Sequence, residues 1–447
     1  MNSDSQMLDV LQDLIVKAQK KGATAADAVF IESKSLSVAQ RLGNMEKLER
    51  SEGYDIGLRT LIGNRQAIVS SSDFSSEALE ELTSRAIAMT KVVPEDPFCG
   101  LADPNQLATN HIDVDSFDSS EPSEDTLIEW SQKAEDAARS VQGITNSEGA
   151  EAGWGCANVS VVGTNGFSHS YSGSHYSISV SVLAGEGTEM ERDYDYTGAV
   201  YAEDMLSPES LGKNAGQKAV KRLNPRKVKT TQVPIIYDPR VSRGLLGHLT
   251  SAINGSSIAR GTSFLKDKMK ERVFSEDITI CDDPHRPRGL RSKPFDGEGV
   301  ANKKRELVSS GILSTWILDL RSSRQLGLET TGHASRGSGS APSPSATNVY
   351  LQPGLQSPEQ LMNDIKDGLY VTELIGMGVN GLTGDYSRGA AGFWIKNGEI
   401  TYPVSEITIA GNLNDMFLRL SPANDLEFRY GIDAPTIRIE GMTLAGK

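Results

Sequence analysis

The sequence predicts an α+β protein: an N-terminal mixed α/β domain followed by a β-rich, largely antiparallel C-terminal domain. Three observations carry that reading. Helical apolar spacing recurs through the first half, whereas the residues beyond Ile253 read mostly as strands and loops. Two Asn-Gly pairs, Asn165-Gly166 and Asn397-Gly398, separate β-type runs, and both residues of such a pair tolerate the positive φ of a tight hairpin. The run Ser177-Ile178-Ser179-Val180-Ser181-Val182 alternates strictly, which makes one strand face apolar and the other hydroxyl-lined. A chain of 447 residues suggests two or three domains. The main boundary is expected inside the basic linker Pro225–Gln232, giving domains 1–225 and 226–447.

Leu8, Leu11, Ile15 and Ala18 share one helical face, and Gly22 stops that helix. Short β runs are expected at Ala28–Glu32, Ser37–Leu42, Tyr54–Thr60 and Gln66–Ser70. Ser75 caps a second helix reaching Lys91, with Leu79, Leu82, Ala86 and Met89 on its apolar side. The acidic, Pro-punctuated stretch from about 92 to 122 reads as an excursion or linker. A third helix spans Thr126–Val141. Val159–Gly163 leads into the first hairpin, and Ser207-Pro208 opens a helix ending near Leu223. Beyond the boundary, Val233–Tyr237 is an apolar strand and Asp238-Pro239 starts a helix to about Ile253. Ser309-Ser310-Gly311 and Asn397-Gly398 each close a hairpin, and Gly337–Ala346 reads as a flexible loop.

Charge and composition exclude several classes of function. Hydrophobic residues make up 38% and charged residues 23%, so wholesale disorder is ruled out. No run approaches the roughly 18 apolar residues of a membrane span, and Met1–Lys21 lacks a signal-peptide pattern. Three dispersed cysteines, Cys99, Cys156 and Cys281, read as reduced thiols, so a cytoplasmic location with no membrane partner is expected. The formal charge is −14, of which −11 lies between Val92 and Asp136. The basic run Gly212–Thr230 lacks interleaved aromatics, and nucleic acid is not an expected partner.

Short motifs carry little chemistry. Gly376-Met377-Gly378-Val379-Asn380-Gly381 matches a dinucleotide-loop pattern, but more glycines follow where a helix should start. Ser263-Phe264-Leu265-Lys266 lacks the companion elements of a Ser-x-x-Lys hydrolase. None of the six histidines (His111, His169, His175, His248, His285, His333) is followed by Glu, so no His-Glu-x-x-His can exist. Phe295-Asp296-Gly297-Glu298-Gly299 clusters two carboxylates in a sharp turn, with a cation or peptide-amine contact as the functional alternative.

The longer stretches Ile235-Ile236-Tyr237-Asp238-Pro239, Phe295–Gly299, Gly311-Ile312-Leu313, Thr347–Gly354 and Asn397–Val404 resemble the TldD/PmbA family, in particular its PmbA (TldE) branch. Gly57-Leu58-Arg59 with Gly63 resembles the family's N-terminal domain, and the resemblance spans nearly the whole chain. It implies a two-subunit zinc peptidase acting on small or unfolded peptides. The TldD-type chain carries His-Glu-x-x-x-His on the helix after the Tyr-Asp-Pro strand, plus a C-terminal Cys. Here the matching helix reads Gly244-Leu245-Leu246-Gly247-His248-Leu249-Thr250-Ser251-Ala252. Gly247 and Ala252 stand at the ligand positions and His248 at the base position; a one-residue shift makes His248 a ligand but puts Leu249 and Ile253 at the others. Arg429–Thr436 contains no Cys.

The resemblance therefore implies no catalytic or metal-ligating residue in this chain. Zinc is expected in a TldD-type partner subunit, and the chain alone is a possible homodimer. His248, Asp296, Glu298 and His333 are carried as candidate substrate-chamber residues, and Ser177–Val182 with Gly337–Ala346 as candidate chamber wall. An autonomous hydrolase with an unrecognised site, or a peptide-binding regulator, are the alternatives.

Overall fold

The first half of the chain in the computed structural model, which describes residues 3–110 and 112–447, is one antiparallel sheet backed by four helices. Its elements are α1 (Ser3–Lys20), β1 (Ala25–Arg41), β2 (Asn44–Ile62), β3 (Arg65–Ser71), α2 (Ser76–Val92), α3 (Glu124–Arg139), β4 (Ile144–Gly163), β5 (Ser168–Ala184), β6 (Glu191–Ala199) and α4 (Pro208–Lys221). The strand order is β3-β2-β1-β4-β5-β6, so every neighbour but one is joined by sequence and the long β1 sits at the centre. Side chains alternate across each strand. Ala26, Ala28, Phe30, Leu36 and Val38 of β1 therefore all face the helices, where they pack with Leu11, Ile15, Leu82, Leu127 and Ala134. The helix starts are held as expected: Ser75 accepts from the Ala78 amide and Ser207 from the Ser210 amide. Ile178, Val180 and Val182 bury one face of β5, as their alternation requires.

Two strands differ from the sequence reading. The runs Ala28–Glu32 and Ser37–Leu42 are a single strand, and β2 begins at Asn44, ten residues before the expected Tyr54. Residues Asn44–Asp55 are exposed on both faces, so no apolar alternation marks them.

The second half continues with β7 (Thr231–Tyr237), α5 (Pro239–Ala252), α6 (Gly255–Ala259), β8 (Ile280–Asp282), β9 (Arg305–Ser309), β10 (Ile312–Leu313), α7 (Leu320–Leu326), β11 (Ala334–Ser335), β12 (Ser343–Pro344), β13 (Val349–Leu351), α8 (Pro358–Met362), β14 (Asp367–Ile375), β15 (Asp385–Lys396), β16 (Glu399–Asn412), α9 (Leu413–Leu418), β17 (Leu420–Pro422), β18 (Ile432–Asp433) and β19 (Ile437–Ala445). Six strands run in the order β16-β15-β14-β7-β19-β17, and β16 also pairs with β19, so this sheet closes on itself. A second sheet runs β10-β9-β8-β13-β18. Both are antiparallel except for the parallel pairs β7–β14 and β13–β18. The expected hairpins at Ser310-Gly311 and Asn397-Gly398 are present, with Asn397 and Gly398 both at positive φ.

Three devices join the halves. The acidic stretch after α2 is no free linker: it lies against both halves as a strap. Ala108 donates to the Gly299 carbonyl, Arg288 to that of Val114, and Ser174 to that of Ser116. The outer border of β6 is capped by arginines from the second half, Arg240 on the Tyr194 carbonyl and Arg429 on that of Tyr196. Arg240 also grips the buried Asp193 through both its terminal nitrogens. Finally, the glycine- and serine-rich segment expected to be flexible is docked on the first sheet. A Cβ on Gly57 would stand 2.0 Å from the Ser338 carbonyl oxygen, so only glycine admits this approach.

Candidate functional site

Helix α5 is positioned by its first turn. Asp238 accepts from the Arg240 amide, Pro239 pre-sets φ at the first helical position, and the Tyr370 hydroxyl donates to Asp238 Oδ2 at 2.9 Å. Ser242, Leu245, Leu246, Leu249 and Ala252 bury one side. On the other side three cavities adjoin. One of about 280 Å³ is lined by His248, Ser251, Phe264, Met377, Arg388 and others. A second, of about 440 Å³, is lined by Arg192, Tyr194, Arg240, Arg243, Gly244 and Arg388 among others. The third, of about 330 Å³, is bounded by Tyr194, Asp195, Tyr196, Arg240, Arg243, Leu290 and Tyr430. Arg388 is common to the first two and Arg243 to the last two, so they form one series along the helix.

His248 lies edge-on to Tyr386, with ring centroids 6.0 Å apart. Burial lowers its pKa and the Arg388 guanidinium lowers it further, which keeps the imidazole neutral at pH 7. A guanidinium beside the ring also opposes any cation there. Gly247 and Ala252, beside His248 on the helix, have no donor atom on their side chains. Among the described residues, no three His, Cys, Asp or Glu side chains gather where they could hold a metal ion. The groups along this helix do not fit a zinc ion.

The other candidate residues lie elsewhere. Asp296 and His333 share a separate cavity of about 230 Å³ with Lys293 and Asn302. Asp296 accepts from the amides of Glu298, Val300 and Ala334 and thereby ties its own turn to β11. His333 Nδ1 is 2.8 Å from the Thr331 hydroxyl and its Nε2 is 3.6 Å from Asp282. Glu298 turns toward the first half: it accepts from the Leu320 amide at 2.9 Å and lies 3.8 Å from Arg59. Arg59 is in turn bonded to Asp27, and Asp27 to Arg336 at 2.9 Å, all four side chains being buried. Burial pushes the Asp296 carboxyl up to about 6 and that of Glu298 up to about 8, with Arg59 opposing the rise at Glu298. Burial works against Asp27 too, but Arg336 and Arg59 hold its carboxyl below the usual range.

The structure thus brings Asp296 and His333 together, ties Glu298 to the junction of the halves and leaves His248 apart. His111 lies outside the described residues. Ser263 donates to the Ala252 carbonyl at 2.6 Å and accepts from the Leu265 amide, so the Ser-x-x-Lys match is a structural turn. Gly376–Gly381 joins two strands and leads into no helix. The arginine-lined series went unnoticed in the sequence, although Arg240, Arg243, Gly244 and Gly247 recur at helical spacing on one face.

Comparison with known proteins places this architecture. The chain matches the PmbA/TldA metallopeptidase domain 1 over residues 26–90, the central domain over 117–223 and the C-terminal domain over 230–446. It belongs to the PmbA/TldD metallopeptidase family. Within the family it stands in the PmbA/TldE branch. It is 38% identical to Metalloprotease PmbA of Escherichia coli O157:H7, covering 94% of this chain and 92% of that protein. It is 36% identical to the Metalloprotease PmbA homolog of Haemophilus influenzae, over 100% and 98%. A solved structure from Bacteroides thetaiotaomicron superposes with a TM-score of 0.92 at 26% identity, covering both chains fully. TldE from Thermococcus kodakarensis shares the fold, with a TM-score of 0.89 at 23% identity over 98% of this chain and 100% of that one. No helix among the described residues is long and apolar enough to cross a membrane.

Proposed function

We propose that this chain is the non-catalytic subunit of a heteromeric metallopeptidase, pairing with a homologous TldD-type chain that carries the zinc. The complex acts on small or unfolded peptides in the cytoplasm. The observation that carries this reading is the helix Pro239–Ala252. In one register the resemblance puts Gly247 and Ala252 at the ligand positions; in the other Leu249 replaces the base and Ile253 the second histidine. The one imidazole, His248, has the Arg388 guanidinium beside it instead of a carboxylate or thiolate. Loss of even one ligand removes much of the coordination energy of a zinc site. Without a metal to lower the pKa of water to about 7, no nucleophile forms at neutral pH.

The test is to purify the chain alone and with a TldD-type subunit, then measure zinc per chain, peptide cleavage and sedimentation. Zinc and cleavage are expected only in the mixture, which sediments as one species, and His248→Ala leaves its activity largely intact. Stoichiometric zinc in the isolated chain, with chelator-sensitive cleavage abolished by His248→Ala, would establish an autonomous enzyme instead. Two species that never co-sediment would overturn the partnership.

A further inference from the structure

The cavities along α5 have a charge opposite to that of the protein as a whole. The chain carries −14, yet four arginines, Arg192, Arg240, Arg243 and Arg388, line the groove. Two of the four are engaged with acids. Arg240 is bonded to Asp193 and to the Thr372 carbonyl, and Arg192 to Glu148. Two acids stand on the groove wall: Glu373 is paired with Arg222 at 2.5 Å, and the buried Asp195 has Lys218 at 3.0 Å and Arg429 at 3.9 Å.

Arg243 and Arg388 are different. Arg243 uses its Nε on the Arg240 carbonyl, and its guanidinium lies 4.1 Å from the centroid of the Tyr430 ring. Arg388 uses its Nε on the Ile375 carbonyl at 3.4 Å. Neither forms an ion pair among the described residues, and each keeps its terminal nitrogens for another partner. Such a planar fork matches a carboxylate with two parallel hydrogen bonds.

The groove floor supplies a second, independent observation. Gly244 and Gly247 lie on the open face of α5, and a Cβ at either would meet nothing within 4 Å. Each costs a helix about 0.5–1 kcal/mol relative to alanine and no neighbour requires it. A floor without side chains lets an extended backbone lie close to the helix.

We propose that this groove binds an acidic peptide segment, with side-chain or terminal carboxylates seated on Arg243 and Arg388 and the backbone passing over Gly244 and Gly247. The proposal deepens the peptide-handling role given above and rests on it. The narrow cavities, flanked by Tyr194, Tyr196 and Tyr430, suit a single extended chain better than a duplex. In terms of charge, the groove concentrates anions on a molecule that otherwise repels them.

The experiment is fluorescence anisotropy on the full-length chain with a labelled Asp/Glu-rich nonapeptide, its Asn/Gln counterpart and a single-stranded oligonucleotide of equal charge. The acidic peptide is expected to bind at least about tenfold tighter than the neutral one, as two lost charge-assisted pairs would produce. Raising the salt from about 0.05 to about 0.3 M should erode that preference. The double variant Arg243→Gln, Arg388→Gln should remove it, and Gly244→Leu should block binding by filling the floor while leaving the melting temperature unreduced. Arg243→Lys, which retains the charge but loses the fork, should lie between. Equal affinity for the two peptides, or unchanged binding by a folded Gly244→Leu, would overturn the proposal, and so would preference for the oligonucleotide. Because the isolated chain is used, failure here is separable from failure to assemble with a TldD-type subunit, which sedimentation alone reads.

Discussion

Replacing Glu298 by Gln should make the protein progressively more stable than its parent as the pH rises. The side chain is buried between the halves, 3.8 Å from Arg59 and accepting from the Leu320 amide. Burial raises its carboxyl to about 8, against about 4.3 in an unfolded chain. The folded form therefore holds a proton that the unfolded form has released. Stability from this group is fully present below pH 4.3 and is lost as the pH climbs through 8. Between about pH 5 and 7.5 the difference is close to one proton, which corresponds to about 1.4 kcal/mol per pH unit. Gln keeps the carbonyl that accepts from Leu320 and cannot ionise, so its unfolding free energy lacks this slope. The assay is urea unfolding followed by tryptophan fluorescence, parent against variant, at half-unit steps from pH 5 to 8.5. The difference should grow with pH and level off above 8. A flat difference, or a variant weaker than the parent at every pH, would show Glu298 to be ionised and paired with Arg59, and would refute the reasoning.

Three further outcomes follow from the packing and the buried ion pairs. Gly57→Val should destabilise by about 1–3 kcal/mol, since its Cβ would collide with the Ser338 carbonyl, and limited proteolysis should then cut between Gly337 and Ser340. Gly244→Ala, placed in open space on a helix, should instead stabilise by about 0.5–1 kcal/mol in the same urea assay. Arg240→Met should cost about 3–5 kcal/mol of unfolding free energy, because the buried Asp193 then keeps the Tyr194 amide and, as its one cationic partner, Arg222 at 3.5 Å.

What the sequence revealed tracks the range of the interactions concerned. Helix α5 was legible because its start is local: Asp238 and Pro239 act within one turn. The strand Ser177–Val182 was legible because one of its faces is buried, and the Asn397-Gly398 hairpin because its turn chemistry is carried by two residues. Strand β2 before Tyr54 was not, since a segment exposed on both faces has no periodicity to detect. The same limit governs the candidate site. Asp27, Arg59, Glu298 and Arg336 meet across up to 309 positions, and Arg192 and Arg388 across 196, so no spacing announces them. The carboxylates Asp296 and Glu298 were noticed as a pair in one turn, but their partners, which direct one inward and the other to the junction, come from distant segments.

The capped border of β6 has a bearing on how the chain can be divided. A sheet border with unpaired carbonyls is a template on which other chains polymerise. In the first sheet the segment Asn44–Asp55 has no strand on its outer side, and there Glu46, Lys47, Glu49, Arg50 and Glu52 repel a docking strand. The opposite border carries Glu191, Arg192, Asp193 and Asp195 beside Tyr194 and Tyr196, and its carbonyls are covered by Arg240 and Arg429 some fifty and more than two hundred residues later. A fragment truncated before Pro225 would lose both guards and leave the carbonyls of Tyr194 and Tyr196 open to its own copies. The second half thus shields a sheet border of the first, and cutting the chain between them exposes it.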